Sequence, residues 1–379
     1  MTLIVLGVSG SIAAMRAFDL CRELRKNGFE VQIVMSDSAK EIVTQNSLEF
    51  ASGRKVITTL SGKIEHVKYF GKKGRAALLL IAPATANTIS KIAQGIDDTT
   101  ITTFASVAIG SKRPVLLAPA MHAPMYEHPI VLENLQKLEK RGVRIIDPLM
   151  NEGKAKLAEI EKIIFEVQKS LAKNLLERKK VLVASGAFEE QIDDFRVLTN
   201  KSSGRFGCEI ALCAMIEGAQ VKVIGNGAKK SFFDFEEVIN ANELEQKVTK
   251  ELSKGYDYFF SPAAIPDFSV DKRSGKIDSA KEMQLKLKPR EKMLTAIAKK
   301  FPKLRIIAFK AVWAKSKKEI EKVAIDFIKK NNFHAAVAND VSKNGFGSEN
   351  GEFFICTAKT KKWISASKEI AAKEIVSII

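Results

Sequence analysis

Cysteine is scarce in this chain of 379 residues: only Cys21, Cys208, Cys213 and Cys356 are present, and no pair has metal-ligand spacing. Cys208 and Cys213 share one helix pattern and read as small buried residues, which argues against structural disulfides and zinc. Long apolar runs are missing too. No stretch of roughly eighteen apolar residues exists to span a bilayer, and MTLIVLGVSG enters a strand at once without a basic lead-in. The expectation is a cytoplasmic protein with no membrane partner. The net charge of +17 could signal nucleic acid, but the lysines spread over helix faces, as in KKEIEKVAIDFIKK, and no basic run is interleaved with aromatics. The excess charge is assigned to solvated faces and anionic ligands, and no nucleic-acid partner is expected.

What the sequence does contain is two α/β beginnings. TLIVLGVSGSIAAMRAFDLCRELRKNGFEVQIVM reads as strand, glycine-serine turn, amphipathic helix and second strand, and KKVLVASG through EIALCAMIEGAQVKVIG repeats that logic. At this length two doubly wound, Rossmann-like α/β domains are predicted, residues 1–178 and 179–379. Ile160, Ile163, Ile164, Val167, Leu171 and Leu175 recur at helical spacing, so a helix over 159–177 should close the first domain, with Arg178-Lys179-Lys180 as the hinge.

The turn Gly7-Val8-Ser9-Gly10-Ser11 lacks the third glycine of a dinucleotide fingerprint, yet a short Gly/Ser turn at a helix start can hold a monophosphate. Ser36 lies where a doubly wound sheet binds ligands, and it is equally placed to cap the helix that follows. In the second half a long polar insert separates the first strand from its helix and ends in Asn200-Lys201-Ser202-Ser203-Gly204-Arg205. The unpaired N–H groups of a helix's first turn, two serine hydroxyls, a glycine that lets a ligand approach and an arginine suit a phosphate. A serine capping an ordinary helix is the plainer reading.

The insert QIDDFRVLTNKSSGRFG resembles the signature of phosphopantothenate–cysteine ligases, and the N-terminal half resembles the flavin-dependent phosphopantothenoylcysteine decarboxylases. The resemblance implies a flavodoxin-like flavoprotein domain followed by a ligase domain. It implies FMN held by Gly10, Ser11 and Ser36, by the stretch Pro83-Ala84-Thr85-Ala86-Asn87-Thr88, and by Thr102. Asp97-Asp98 stands where that family has an Asn-Asp pair. His66 matches the family's catalytic acid/base. Met121, His122 and Met125 match its substrate motif, with His122 in place of asparagine and Tyr126 in place of tryptophan. The flap that in the family carries a proton-returning cysteine reads LMNEGKAKL here, without cysteine. His122 is the candidate substitute donor, because imidazole can carry a proton near neutral pH.

On the ligase side, the resemblance places the phosphate of the pantothenate substrate near Ser202, Ser203 and Gly204, with Arg205 adding charge and Asn200 bonded to an acyl-nucleotide. Ala263 and Asp267, in AAIPDF, match the nucleotide motif, and Lys276 the flexible-loop lysine. Lys288 and Pro289 match a phosphate-proximal run, Phe309 an aromatic packed on the base, and Lys330, Asn339 and Asp340 complete the pattern. Phe188 replaces the family's threonine. The implied function is ligation of 4′-phosphopantothenate to cysteine with a nucleoside triphosphate, CTP favoured and ATP open, and Mg²⁺. Decarboxylation to 4′-phosphopantetheine with FMN would follow. Metal ligands remain unassigned. A homo-oligomer is implied, trimeric through the flavin domain and dimeric through the ligase domain. The alternative is a regulatory flavoprotein in which only the ligase half is active.

Overall fold

The computed structural model describes residues 1–228, 232–278, 282–313, 316–342 and 348–379. The chain packs as two units, Met1–Ala172 and Lys173–Ile379.

The first unit is built on the strands Thr2–Val8, Phe29–Met35, Leu78–Ala84, Val115–Pro119 and Arg144–Ile145. All pair in parallel, in the spatial order second, first, third, fourth, fifth, which is the flavodoxin-like winding. Successive side chains of a strand point to opposite faces, so Thr2–Val8 feeds two cores. Ile4, Leu6 and Val8 pack with Leu20 and Leu24, whereas Leu3 and Val5 pack with Phe70 and Phe104. Leu78–Ala84 is buried along its whole length, which explains why LLLIAPA shows no polar alternation. After Val115–Pro119 the chain adds a small antiparallel sheet, in which Lys154–Lys156 lies between Met121–His122 and Leu149–Asn151. This sheet is the flap.

The helix expected over 159–177 is shorter, Ile160–Leu171, and ends where Ala172 turns extended. Leu175 is exposed, and Leu176 is buried in the second unit's core with its N–H bonded to the Glu217 carbonyl. The apolar spacing ran on by coincidence, because Leu176 packs against a different core. The supposed hinge is likewise part of the second unit: Lys179 pairs with Asp257 and Lys180 opens a strand.

In the second unit the sheet order is Asp234–Glu237, Gln220–Gly225, Lys180–Ser185, Tyr258–Ser261, Arg305–Val312, Ala335–Asp340, Asn350–Thr357 and Lys361–Ser367. The pairings are parallel as far as Ala335–Asp340, and the last two strands add antiparallel. The winding reverses between Lys180–Ser185 and Tyr258–Ser261, so a crevice opens at their C-terminal ends. The polar insert folds as a hairpin of Glu189–Gln191 with Val197–Thr199. All four cysteines are buried, and burial pushes the Cys21 thiol up to about 11 and that of Cys213 to about 12. Among the described residues no helix is long and apolar enough to cross a membrane.

Candidate functional sites

A cavity of about 730 Å³ opens at the C-terminal edge of the first sheet. One wall is the turn that closes Thr2–Val8. Ser9 Oγ donates to the Pro83 carbonyl at 2.7 Å and accepts the Thr85 N–H at 3.1 Å, tying that turn to the PATANT segment. Ser11 Oγ donates to the Ala120 carbonyl at 3.2 Å. A β-carbon on Gly10 would meet the Ser38 side chain at under 3.0 Å, so only glycine lets these two loops close on each other. Ser36 heads a short helix without capping it, and its buried hydroxyl has no partner among the described residues. That placement disfavours the capping role and leaves a hydroxyl free for a ligand.

Thr85 caps the helix Ala86–Gln94 by accepting the Thr88 N–H, which sets Asn87 on the first turn and at the cavity wall. Thr99 and Thr102 cap the helix Thr100–Gly110 reciprocally, and both line the cavity. The far wall is the flap: Met121, His122 and Met125 face the space, together with Lys154 and Lys156. His122 and Lys154 are direct cross-strand partners. The charged lining residues are Arg16, Lys91, Lys154 and Lys156, with no carboxylate among them. Three of them are already paired, Arg16 with Glu159, Lys91 with Asp98 and Lys156 with Glu152, so much of the lining's positive charge is compensated by neighbouring carboxylates.

Three expected residues do not line this space. Pro83 and Ala84 belong to the strand behind it, Ala84 fully buried and Pro83 contributing only the carbonyl that holds Ser9. His66 lies on the helix Glu65–Phe70, where its Nδ1 is buried without a partner among the described residues.

The crevice of the second unit is smaller, about 310 Å³, and more polar. Asn200, Ser202, Ser203, Gly204, Arg205, Ala263, Asp267, Phe309, Asn339 and Asp340 all line it. Gly204 has φ +73° and begins the helix Arg205–Ile216, and a β-carbon there would lie 2.6 Å from the Asn226 carbonyl oxygen. Asn226 itself fastens this wall. Its Oδ1 accepts the Ala187 N–H at 3.0 Å, and its Nδ2 donates to the Ala187 and Val238 carbonyls. Gly186 likewise has no room for a β-carbon beside Asn226.

Charges in the crevice are mostly matched. Arg205 pairs with Glu349 at 2.5 Å, and Asp267 pairs with Lys292. Phe309 stacks edge-on against Phe206, with centroids 5.4 Å apart. Sequence reasoning missed Phe206, Lys310, Phe353 and Lys368, which also line it. Lys368 opens the last helix behind the capping Ser367. Burial, then the Arg205 charge, holds its ammonium below the ordinary lysine range. Ser-Lys at the start of an apolar-periodic segment was the signal that could have found it.

Lys276, Lys288, Pro289 and Lys330 are not brought to the crevice. Lys276 sits on an exposed loop, its ammonium 5.8 Å from the Phe195 ring centroid. Lys288–Pro289 forms a short exposed strand against Phe268–Ser269, with Lys288 paired to Asp271 at 2.8 Å. Lys330 ends the helix Lys317–Asn331, which delivers the chain to the start of Ala335–Asp340, the opposite end of that strand from Asn339. Among the described residues no cluster of His, Cys, Asp or Glu could hold a metal ion.

Residues 1–172 match the Flavoprotein family, and residues 176–379 match the DNA/pantothenate metabolism flavoprotein C-terminal domain. The coenzyme A biosynthesis bifunctional protein CoaBC of Thermococcus kodakarensis is 42% identical over 354 residues, covering 92% of this chain and 87% of that protein. The chain belongs to the CoaBC family. The CoaBC of Methanocaldococcus jannaschii is 37% identical and covers 98% of this chain and 92% of its own. A solved structure of the FMN-dependent cysteine decarboxylase SpaF is 27% identical, covering 45% of this chain and 98% of that one, with a TM-score of 0.40. Membership in the CoaBC family makes the chain a bifunctional enzyme of coenzyme A biosynthesis, a phosphopantothenate–cysteine ligase and a phosphopantothenoylcysteine decarboxylase.

Proposed function

We propose that the first unit binds FMN in its cavity and uses it to decarboxylate 4′-phosphopantothenoylcysteine. In the same reading the second unit makes that substrate from 4′-phosphopantothenate and cysteine through an acyl-nucleotide. The observation that carries the flavin assignment is the Ser36 hydroxyl, a buried polar group without a partner among the described residues, beside a cavity at a sheet's C-terminal edge. The residues present suit the group. Gly10 and Ser11 form a close-approach turn for a phosphate, small residues of the PATANT stretch leave room for a flat ring, and Asn87 offers a donor and an acceptor. FMN held there would supply a two-electron sink, so that the cysteine-derived carboxylate can leave as CO₂.

The chain's own groups then divide the remaining work. His122, beside Lys154, grips the substrate carboxylate and holds a proton for the carbon that loses it, replacing the family's flap cysteine. His66 does not line its own chain's cavity. It lies near exposed Ile64 and Val67, and Ile12 and Met15 at the cavity side are 75% and 62% exposed. This arrangement favours a homotrimer in which His66 serves a neighbouring copy as acid/base, with dimerisation through the second unit.

In the ligase crevice the obstacle is charge, because a triphosphate, a substrate phosphate and a carboxylate must converge. Ser202, Ser203, Gly204 and the N-terminus of the helix Arg205–Ile216 receive the pantothenate phosphate. Asn200 hydrogen-bonds the acyl-nucleotide, Phe309 packs on the base, and Lys276 neutralises the developing charge. Lys288 adds charge for the phosphates in the assembled enzyme. Mg²⁺ enters with the nucleotide, held largely by phosphate oxygens and water. CTP is the favoured nucleotide and ATP the alternative.

Two measurements on the full chain test this reading. The purified protein should carry a chromophore whose mass is that of FMN; a colourless, folded protein that cannot be reconstituted with FMN would overturn the flavin assignment. Pyrophosphate release with phosphopantothenate and cysteine should be faster with CTP than with ATP. The reverse order would remove the CTP preference.

A further inference from the structure

The polar insert ends in Asn200, yet its hairpin reaches elsewhere. At the tip, the Asp193 carboxylate is buried and accepts four hydrogen bonds. These are the N–H groups of Phe195 at 2.8 Å, Arg196 at 2.6 Å and Ile277 at 3.1 Å, and the Arg196 guanidinium at 2.6 Å. The next carboxylate, Asp194, accepts the Gly275 N–H at 2.7 Å and pairs with Lys272 at 2.8 Å. Adjacent aspartates thus hold the residues on either side of Lys276. The Arg196 guanidinium also donates to the Ile277 carbonyl at 3.2 Å, the Asp194 N–H to the Gly275 carbonyl at 3.3 Å, and the Arg273 N–H to the Ile192 carbonyl at 3.0 Å. Farther along the same segment, Arg290 forms a nearly buried ion pair with Glu190 on the hairpin's first strand. Residues 272–277 and, separately, Arg290 are fastened to the hairpin.

We propose that Asp193 and Asp194 are positioning residues that make the Lys276 loop one piece with the hairpin and so place the lysine relative to Asn200. This inference rests on the reading of Lys276 as the lysine that acts on the acyl-nucleotide. The hairpin's second strand, Val197–Thr199, is followed directly by Asn200, and Thr199 Oγ1 donates to the Phe188 carbonyl at 3.0 Å. The lysine's backbone and the crevice asparagine therefore hang from opposite ends of one short, doubly anchored element. Burial raises the Asp193 pKa, but the N–H groups of Phe195, Ile277 and Arg196 and the Arg196 guanidinium outweigh it and hold the carboxyl at about 2. The charged, bond-accepting form persists at all physiological pH. The length of the insert has a purpose on this account: a direct strand-to-helix turn could form a phosphate site but could not carry a second arm.

The test uses the full chain with phosphopantothenate, cysteine and CTP, and reads steady-state ligation and amide hydrogen exchange at residues 273–278. Asp194→Ala, at a half-exposed site that the fold tolerates, should lower kcat about 10-fold with the KM for CTP moved less than about 2-fold. Asp193→Asn should lower kcat about 100-fold, the scale expected when a catalytic group is misplaced by about an ångström. Exchange of the Gly275 and Ile277 amides should quicken in both. In a Lys276→Gln background neither change should lower kcat by more than about 2-fold again, because groups that act through one lysine do not add. If Lys276→Gln impairs ligation while Asp194→Ala stays at the wild-type rate, or multiplies its full effect onto Lys276→Gln, the clamp is wrong and the lysine assignment stands. If Lys276→Gln ligates normally, the lysine assignment fails and the clamp loses its purpose. Should Asp193→Asn fail to fold, Asp194→Ala decides alone.

Discussion

The two crevices occupy equivalent places, the C-terminal edges of two parallel sheets, and differ in what their polar groups do without a ligand. In the first unit Arg16, Lys91 and Lys156 of the lining pair with Glu159, Asp98 and Glu152, but the Ser36 hydroxyl is buried and has no partner among the described residues. In the second, Arg205 is matched to Glu349, Asp267 to Lys292 and the neighbouring Lys288 to Asp271. A site that keeps one cofactor can leave groups unsatisfied by protein, since the cofactor is nearly always there to satisfy them. The second crevice has no such buried orphan among the described residues, as suits a site that is emptied on every turnover and must then satisfy its own polar groups.

The sharpest way to break this comparison is in the ligase crevice. Asn200→Asp adds a negative charge among phosphates and should cut ligation by roughly 10²- to 10³-fold, the scale of losing an oriented donor, while decarboxylation of supplied 4′-phosphopantothenoylcysteine continues unchanged. A parallel loss of decarboxylation in the folded variant would show that the two sites are not independent. In the flavin cavity, His122→Asn restores the family's usual residue and should retain substrate but slow turnover by about 10²-fold, with flavin absorbance remaining bleached. Wild-type turnover in that variant would clear His122 of the proton-carrying role and make Glu152 or solvent the next candidate.

Ser36→Ala tests the unsatisfied hydroxyl itself. The apo-protein should gain about 1 kcal/mol, since no buried donor is then left without a partner, and FMN should dissociate more readily. Equal stability and equal retention would mean that Ser36 faces neither protein nor cofactor. A smaller effect is expected from Glu349→Gln. Both side chains of the Arg205–Glu349 pair are more than half exposed, so freeing Arg205 should tighten phosphopantothenate binding by less than about 5-fold. Calorimetry showing weaker binding would contradict the idea that Glu349 keeps the arginine occupied between substrates.

The gentlest change concerns acid. Asp193 titrates at about 2 in the folded chain against an ordinary 3.8, so its contribution to stability is complete above about 3.8 and is lost as pH falls through about 2. The difference in melting temperature between wild type and Asp193→Asn should be constant above pH 4 and shrink below it. A difference that shrinks nearer neutrality would assign the titration to another group.

Much of this arrangement was legible in the sequence because a parallel sheet gathers the ends of its strands. Ser185, Ser261, Phe309 and Asn339 lie at or near strand C-termini, and whatever follows a strand there must meet its neighbours at one edge. The same regularity explains what misled. Lys330 belongs to a helix that returns the chain to the other edge, and motif order alone does not reveal that reversal. His66 matches its family in sequence, but a motif does not reveal that its helix keeps the side chain out of its own chain's cavity lining. The hairpin inside the insert has strands of only three residues, too short to show alternation. Leu175 and Leu176 continued a helical rhythm that the backbone had already left. Lys310 looked like an ordinary solvated lysine and only its place in the crevice lining sets it apart, whereas Lys368 carried one mark in the sequence, its position just after a capping serine.

The wall fastened by Asn226 has a consequence for how such an enzyme can change. Gly186 and Gly204 press against that one asparagine with no space for a single extra carbon, so two stretches of main chain are locked at backbone distance. Random substitution on that side should be almost uniformly lethal to ligation, whatever residue is tried. Variation in the accepted nucleotide has to be drawn from the facing side, where Phe309, Lys310, Phe353 and Lys368 present side chains that can be exchanged. A library built to alter nucleotide choice should therefore leave the glycine wall alone and randomise those four positions.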